Sequence, residues 1–291
     1  GEDWVFNYGM FSFNAPHFIY RFVKGETDYE LGVTPYLYFE GSYAMRGSSV
    51  YQQTLNLTTA EKLKLRKLLE ENYLPENRVY RYNFFYDNCT TRARDIIEEC
   101  IEGKVVYPDG KEGLSFRDIV HQYTKGHEWD ELGIDMCLGS EADEPIDVRK
   151  QMFAPFYMFE AAGRATIVTG DNVRPFVLQE KKVVDVEPEG GEGGFPLSPL
   201  MCVCVLMAAV CFVGWFQLKI KKVIWIWDLF LFGIQGVAGC IIAFLVCFSI
   251  HPTVDSNWLI LLLNPIPLIY LPVMAYKAIK GKKDLYHTIN I

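Results

Sequence analysis

Three long apolar segments near the end of the chain constrain it most. Leu200–Phe216 reads LMCVCVLMAAVCFVGWF, and Val223–Ile250 and Trp258–Tyr276 follow, nearly free of charge. A helix crosses a bilayer core with about 20 apolar residues, and the first segment reaches that length through Leu197 and Leu218. So much apolar surface does not fit inside a protein of 291 residues. The spacing therefore predicts membrane spans near 198–217, 223–250 and 258–276. The loops orient them. KIKK (Lys219–Lys222) and KAIKGKK (Lys277–Lys283) are basic, whereas His251–Asn257 carries no Lys or Arg. By the positive-inside rule the basic loops and the C-terminus are cytoplasmic. Residues 1–196 and His251–Asn257 then share the outer face, which in a bacterium is the periplasm or the cell exterior.

Polar residues inside spans are functional candidates. Asp228 lies near the cytoplasmic end of the second span and can snorkel. Asn264 sits mid-span, with Pro265, Pro267 and Pro272 after it. Such prolines bend or break a helix and free carbonyls. The segment reads either as a kinked packing helix or as the wall of a lipid or substrate groove.

Before the spans the composition changes. Residues 1–186 are mixed and polar, and 187–196 (EPEGGEGGFP) form a flexible acidic linker to a membrane module over 197–291. The formal charge of -8 argues against nucleic acid, which needs a cationic surface. The chain opens on Gly1 and WVFNYGMFSF reads as a strand already in progress, so the expectation is a truncated chain. Strands are expected at WVFNYG, SSVYQQTLNL and RVYRYNFFY, with extended structure over 166–185. Thr58-Thr59-Ala60-Glu61 is a capping box that starts a helix ending near Leu74, before Pro75. Further helices are expected at 89–101, 115–124 and 147–162.

Eight cysteines divide unevenly. Five fall in the apolar runs, where a small packing residue is expected. Cys89, Cys100 and Cys137 lie outside, and an odd number is no disulfide scaffold. Cys89 is the informative one. It stands between an aromatic strand-like run and a helix, in RYNFFYDNCTTRARDIIEEC. Asn88 is a good N-cap, so Cys89 takes the first helical position. There the unpaired N–H groups and the helix dipole favour an anion and make a cysteine nucleophilic. Arg92 and Arg94 add positive potential nearby. The competing reading is an inert buried cysteine, because catalysis also needs a base. His17, His121, His127 and His251 carry no strong local signal, and His287 lies in the cytoplasmic tail. No His/Cys cluster has metal-ligand spacing, and no cofactor is expected.

Long stretches resemble the Lnb family of bacterial lipoprotein N-acyltransferases. FNYGMFSFNAPHFIYRFVKGETDYELGV, RGSSVYQQTLNLT, ENYLPENRVYRYNFFYDNCTTRARDII and LGIDMCLGSEAD are similar to its periplasmic domain. SIHPTVDSNWLILLLNPIPLI is similar to its transmembrane module. The resemblance implies an α+β papain-like domain of permuted NlpC type, followed by a three-helix transmembrane module. In that arrangement a histidine comes early, a polar third member follows, and the nucleophilic cysteine comes last after an Asn. Asn88-Cys89 matches the last element and Asn7 stands where the polar member belongs. The histidine element has no counterpart and is expected upstream of Gly1.

The implied chemistry is acyl transfer through a Cys89 thioester. The donor is a membrane phospholipid and the acceptor the α-amine of a diacylglyceryl lipoprotein. Arg92, Asp135, His251 and Asn264 are the candidate substrate-binding residues. Asp135 and Asp143 match a family motif in which a helix cap or loop-ordering hydrogen bond is expected. Two rivals stand beside this reading: a cell-wall amidase or peptidase of the same fold, and a non-catalytic membrane scaffold.

Overall fold

The structure is a computed structural model that describes residues 3–12, 16–186 and 195–282. Most of the predicted linker, the end of the tail with His287, and the histidine expected upstream of Gly1 lie outside them. The chain forms two compact units. The first comprises residues 1–119, 144–192 and 250–252, and the second residues 120–143, 193–249 and 253–291.

In the first unit β1 (Trp4–Met10), β2 (Asp28–Pro35) and β4 (Val79–Arg81) form an antiparallel sheet in the order β1-β2-β4. Asn7 faces Gly32 across β1 and β2, and the register then slips so that Met10 faces Glu30. Two helices accompany these strands, α1 (Phe18–Lys24) and α2 (Tyr36–Met45). A second sheet pairs β3 (Val50–Leu55) with β8 (Val177–Val184), and a third runs β5 (Lys104–Val106), β6 (Thr166–Thr169), β7 (Asn172–Pro175). The expected strands near the start, at 50–55 and within 166–185 are present.

Helix α3 (Thr59–Tyr73) opens on the expected capping box: Glu61 N–H donates to Thr58 Oγ1, and Thr58 N–H donates to Glu61 Oε2. Helix α4 (Cys89–Cys100) packs beside it. Their meeting point is a buried ion-pair lock. Glu61, only 2% exposed, receives the Arg174 guanidinium at 2.6 and 2.7 Å and the Glu102 N–H at 2.9 Å. Below it Cys100, Ile101, Ala162, Ala165, Ile167 and Phe176 make an apolar core.

Two expectations need correcting. The strand expected over RVYRYNFFY stops at Arg81. Residues 83–87 turn back instead: Asn83 and Asp87 exchange backbone hydrogen bonds and Tyr86 N–H donates to Asn83 Oδ1. The turn drops Phe85 into a ring cluster, 4.2 Å from Phe116 and 5.1 Å from Phe153 between centroids. Burial there overrides the strand propensity of the aromatics. The helix expected over 147–162 is two, α7 (Val148–Gln151) and α8 (Pro155–Arg164). Pro155 pushes Ala154 out of helical geometry, to ψ 131°. Helix α5 (Phe116–Thr124) begins in the first unit and ends in the second.

The second unit holds α6 (Glu128–Cys137), α9 (Pro199–Ile220), α10 (Trp225–Phe248) and α11 (Ile266–Ile279). Among the described residues three segments are long and apolar enough to cross a membrane: Pro199–Ile220, Trp225–Phe248 and Trp258–Ile279. The third is broken, as its prolines foretell. A 3-10 turn at Trp258–Leu261 precedes the break, and Pro272 sits inside α11. The freed backbone groups find protein partners, as they must in a bilayer. Gln235 Nε2 donates to Leu262 O at 2.8 Å, and Ile266 N–H donates to Asn264 Oδ1 at 3.2 Å. Close approach depends on Gly239, because a Cβ there would fall 2.5 Å from Asn264 O.

Residues 136–140 join this unit by hydrogen bonds to the loop between the second and third spans. Gly139 N–H donates to Thr253 O at 2.8 Å, Ser140 N–H to Ser256 O at 3.1 Å, and Asn257 Nδ2 to Met136 O at 2.8 Å. That is why 120–143 belong to this unit rather than to the first.

Candidate functional site

Cys89 is the first residue of α4, and Asn88 fixes it there. Asn88 Oδ1 accepts from Thr90 N–H and Thr91 N–H, both at 2.9 Å. Its amide donates to Phe84 O and Phe153 O, both at 2.9 Å. Thr91 closes a capping box by accepting from Asn88 N–H at 2.8 Å. Every polar group of this buried asparagine is engaged, so the backbone entering Cys89 has one conformation. Asn88 is a structural cap with no valence left for a substrate.

Cys89 is half-buried and free. It packs against Tyr8, Leu31 and Tyr80, with Tyr29 and Tyr82 in the same cluster. Tyr29 and Tyr82 stack at 4.0 Å between centroids, and Tyr80 sits edge-on to Tyr8 at 6.5 Å. Burial pushes the phenols up. Tyr8 rises to about 12, and Tyr29, Tyr80 and Tyr82 also rise, first through burial and then through the charge of a Cys89 thiolate. The wall beside the sulfur is thus aromatic and uncharged.

Strand β1 passes close beneath. A methyl at Gly9 would lie 3.9 Å from Cys89 Cβ and 3.3 Å from Asn7 Oδ1, so glycine leaves that space clear. Asn7 turns inward on its own chain, accepting from Gly9 N–H at 2.9 Å. The structure therefore brings Asn7, Asn88 and Cys89 into one neighbourhood.

Arg92 is there too, but its charge is engaged. It grips Asp87 with two bonds of 2.6 and 2.7 Å and lies 3.9 Å over the Tyr80 ring. Arg94 is buried and bonds Asp95 and Arg149 O. The extra positive potential expected from both arginines is met by carboxylates. The unpaired N–H groups expected at the helix start are largely taken as well: Asn88 accepts those of Thr90, Thr91 and Arg92, which leaves the helix dipole and the Cys89 N–H beside the sulfur.

The other expected residues have other settings. His251 lies in the first unit beside α1, its Nε2 2.6 Å from Phe22 O, with Ile250 N–H donating to Lys24 O. Asp135 lies in the second unit, on α6, and pairs with His121 Nε2 at 2.9 and 3.0 Å. Asn264, also there, braces the broken span. Asp143 ends the 3-10 turn Ser140–Asp143. His17 precedes α1 and His127 precedes α6, 3.8 Å from Asp130. Among the described residues no cluster of His, Cys, Asp and Glu gathers as a metal site.

Sequence reasoning did not single out Gly9 or the tyrosines. The signal for two of the tyrosines was there, since Tyr80 and Tyr82 alternate and so share one face of a strand. Nothing in the sequence marks Gly9 as the residue under Cys89.

Two family models match the chain. The Lnb N-terminal periplasmic domain matches residues 1–125, and the Lnb transmembrane domain matches residues 191–291. No curated protein and no solved structure matches it.

Proposed function

Given that the chain belongs to the Lnb family, we propose that it is a membrane-anchored cysteine acyltransferase acting on bacterial lipoproteins. The observation that carries the reading is Cys89 at the capped N-terminus of α4, half-buried against uncharged rings. The Cys89 thiolate attacks the ester carbonyl of a phospholipid. A C–S bond forms and the ester C–O bond breaks. The lysophospholipid leaves as an alcohol after taking up a proton. The free α-amine of a diacylglyceryl-cysteine then attacks the thioester, an amide forms, and the thiolate is released with loss of the amine proton. The Cys89 N–H, which the Asn88 cap leaves over, and the positive end of α4 face the carbonyl oxygen as it gains charge. Apolar rings suit an acyl chain better than the polar cleft a peptidase needs. Three spans keep the domain at the bilayer where both substrates reside, with the basic loops toward the cytoplasm.

Mass spectrometry of a lipoprotein's N-terminal lipopeptide tests this. Cells depending on the gene should show an acylated α-amine with the wild-type protein and a free amine with Cys89→Ala at equal expression. The same lipopeptide from both would sink the reading and favour cell-wall hydrolysis or scaffolding.

A further inference from the structure

We infer that α6 is a membrane-surface helix whose Trp129–Leu132–Met136 stripe rests in the headgroup layer of the bilayer that α9 spans. The inference does not depend on acyl transfer. It uses the second unit alone.

Depth is set by α9. Its 22 residues rise roughly 33 Å, about the thickness of a hydrocarbon core. Its first turn, capped by Ser198, therefore lies at the membrane–water boundary. Trp129 is tied to that boundary. Its indole N–H donates to Leu197 O at 2.8 Å, and its ring meets Phe195 edge-on at 5.8 Å. The other end of α6 is tied to the same level. Met136 O accepts from Asn257, and Gly139 donates to Thr253. Thr253 and Asn257 stand between the end of α10 at Phe248 and the turn that starts at Trp258. A helix pinned to the entry of one span and to the short link between the other two lies across their ends.

Its faces agree. Residues 129, 132 and 136 follow helical spacing on one side, and Trp129 and Leu132 stay 41% and 37% exposed. The polar side is occupied. Glu131 accepts from Thr124 Oγ1 at 2.8 Å, and Asp135 pairs with His121. Tryptophan, with an apolar ring and one N–H, is a residue of membrane boundaries. An exposed apolar stripe tethered to the entry of α9 sits at the depth of the lipid headgroups, so lipid is its occupant.

Site-specific photocrosslinking tests this. The full chain would carry p-benzoylphenylalanine at Leu132, at Asp130 on the polar side, or at Val203 within α9. Each would be reconstituted in vesicles of phosphatidylethanolamine and phosphatidylglycerol. Mass spectrometry should find lipid adducts at position 132 comparable to those at 203 and several-fold above those at 130. Adducts at 132 no higher than at 130, with 203 labelled normally, overturn the inference. Quenching by brominated lipids guards against a disturbed variant. The emission lost in Trp129→Phe should be quenched more by bromine near the headgroup than by bromine near the chain ends. Equal or no quenching of that component also overturns it.

Discussion

Helix α4 carries a cysteine at each end, and the two ends live differently. Cys89 opens the helix half-buried, at the positive end of its dipole. Cys100 closes it at 1% exposure, and burial, helped by the Glu61 carboxylate, pushes its thiol up to about 11. One end is open to chemistry and the other is bolted to the core. A helix dipole acts oppositely at its two ends, so the two thiols of one short element meet opposite fields, and under the proposed function only the first is used. The difference teaches that a cysteine's role follows from which end of a helix it occupies and what packs there.

The bolted end offers the largest effect. Glu61→Gln would leave Arg174, 17% exposed, without its counter-charge. Removing one partner of such a pair costs about 3–5 kcal/mol. Unfolding in detergent should show this loss, whereas Cys89→Ser should change stability by about 1 kcal/mol or less. Burial alone would raise the Glu61 carboxyl, but the Thr58 and Glu102 N–H groups and Arg174 outweigh it and hold the group at about 2. Its folded value is below its unfolded one. The stabilisation is therefore complete above about pH 4.5 and is lost as pH falls toward 2, roughly 3 kcal/mol in all. Glu61→Gln should flatten that acid limb. An unchanged limb would mean the lock is not where the end of α4 is held.

The next effect compares the thiols directly. A rise from 9.0 to about 11 leaves Cys100 with roughly a hundredfold less thiolate at pH 8 than an ordinary cysteine. Iodoacetamide followed by peptide mass spectrometry should label Cys89 faster by at least about that factor. Equal rates would erase the contrast between the ends. The smallest effect concerns the cap. Asn88→Ala should cost about 1–2 kcal/mol and slow labelling at Cys89 while leaving Cys100 unchanged. A slowing at both sites would indicate general loosening of α4 instead.

Local features were legible in the sequence. The capping box at Thr58 and Glu61, the cap at Asn88 and the three spans each rest on residues close together in the chain. What could not be read needed distant partners. Glu61 was visible as a helix start, but Arg174, 113 positions away, makes it a lock. The turn at 83–87 looked like strand because its aromatics favour strands, and only Phe116 and Phe153 explain why the chain bends there. Helix α6 was missed because its stripe is short, and its anchors, Leu197 and Asn257, belong to the membrane half. Within the site, Cys89 and Asn88 declared themselves by spacing, whereas Gly9 matters only through where β1 passes.

The rings around Cys89 have one more consequence. All four tyrosines ionise above their ordinary value of 10.0. Across the pH range in which a bilayer assay is practicable, none of them changes charge. An inflection in a rate profile below about pH 10 then does not come from these four rings. The rings thus form a quiet background, against which the proposed role of the Cys89 sulfur can be followed.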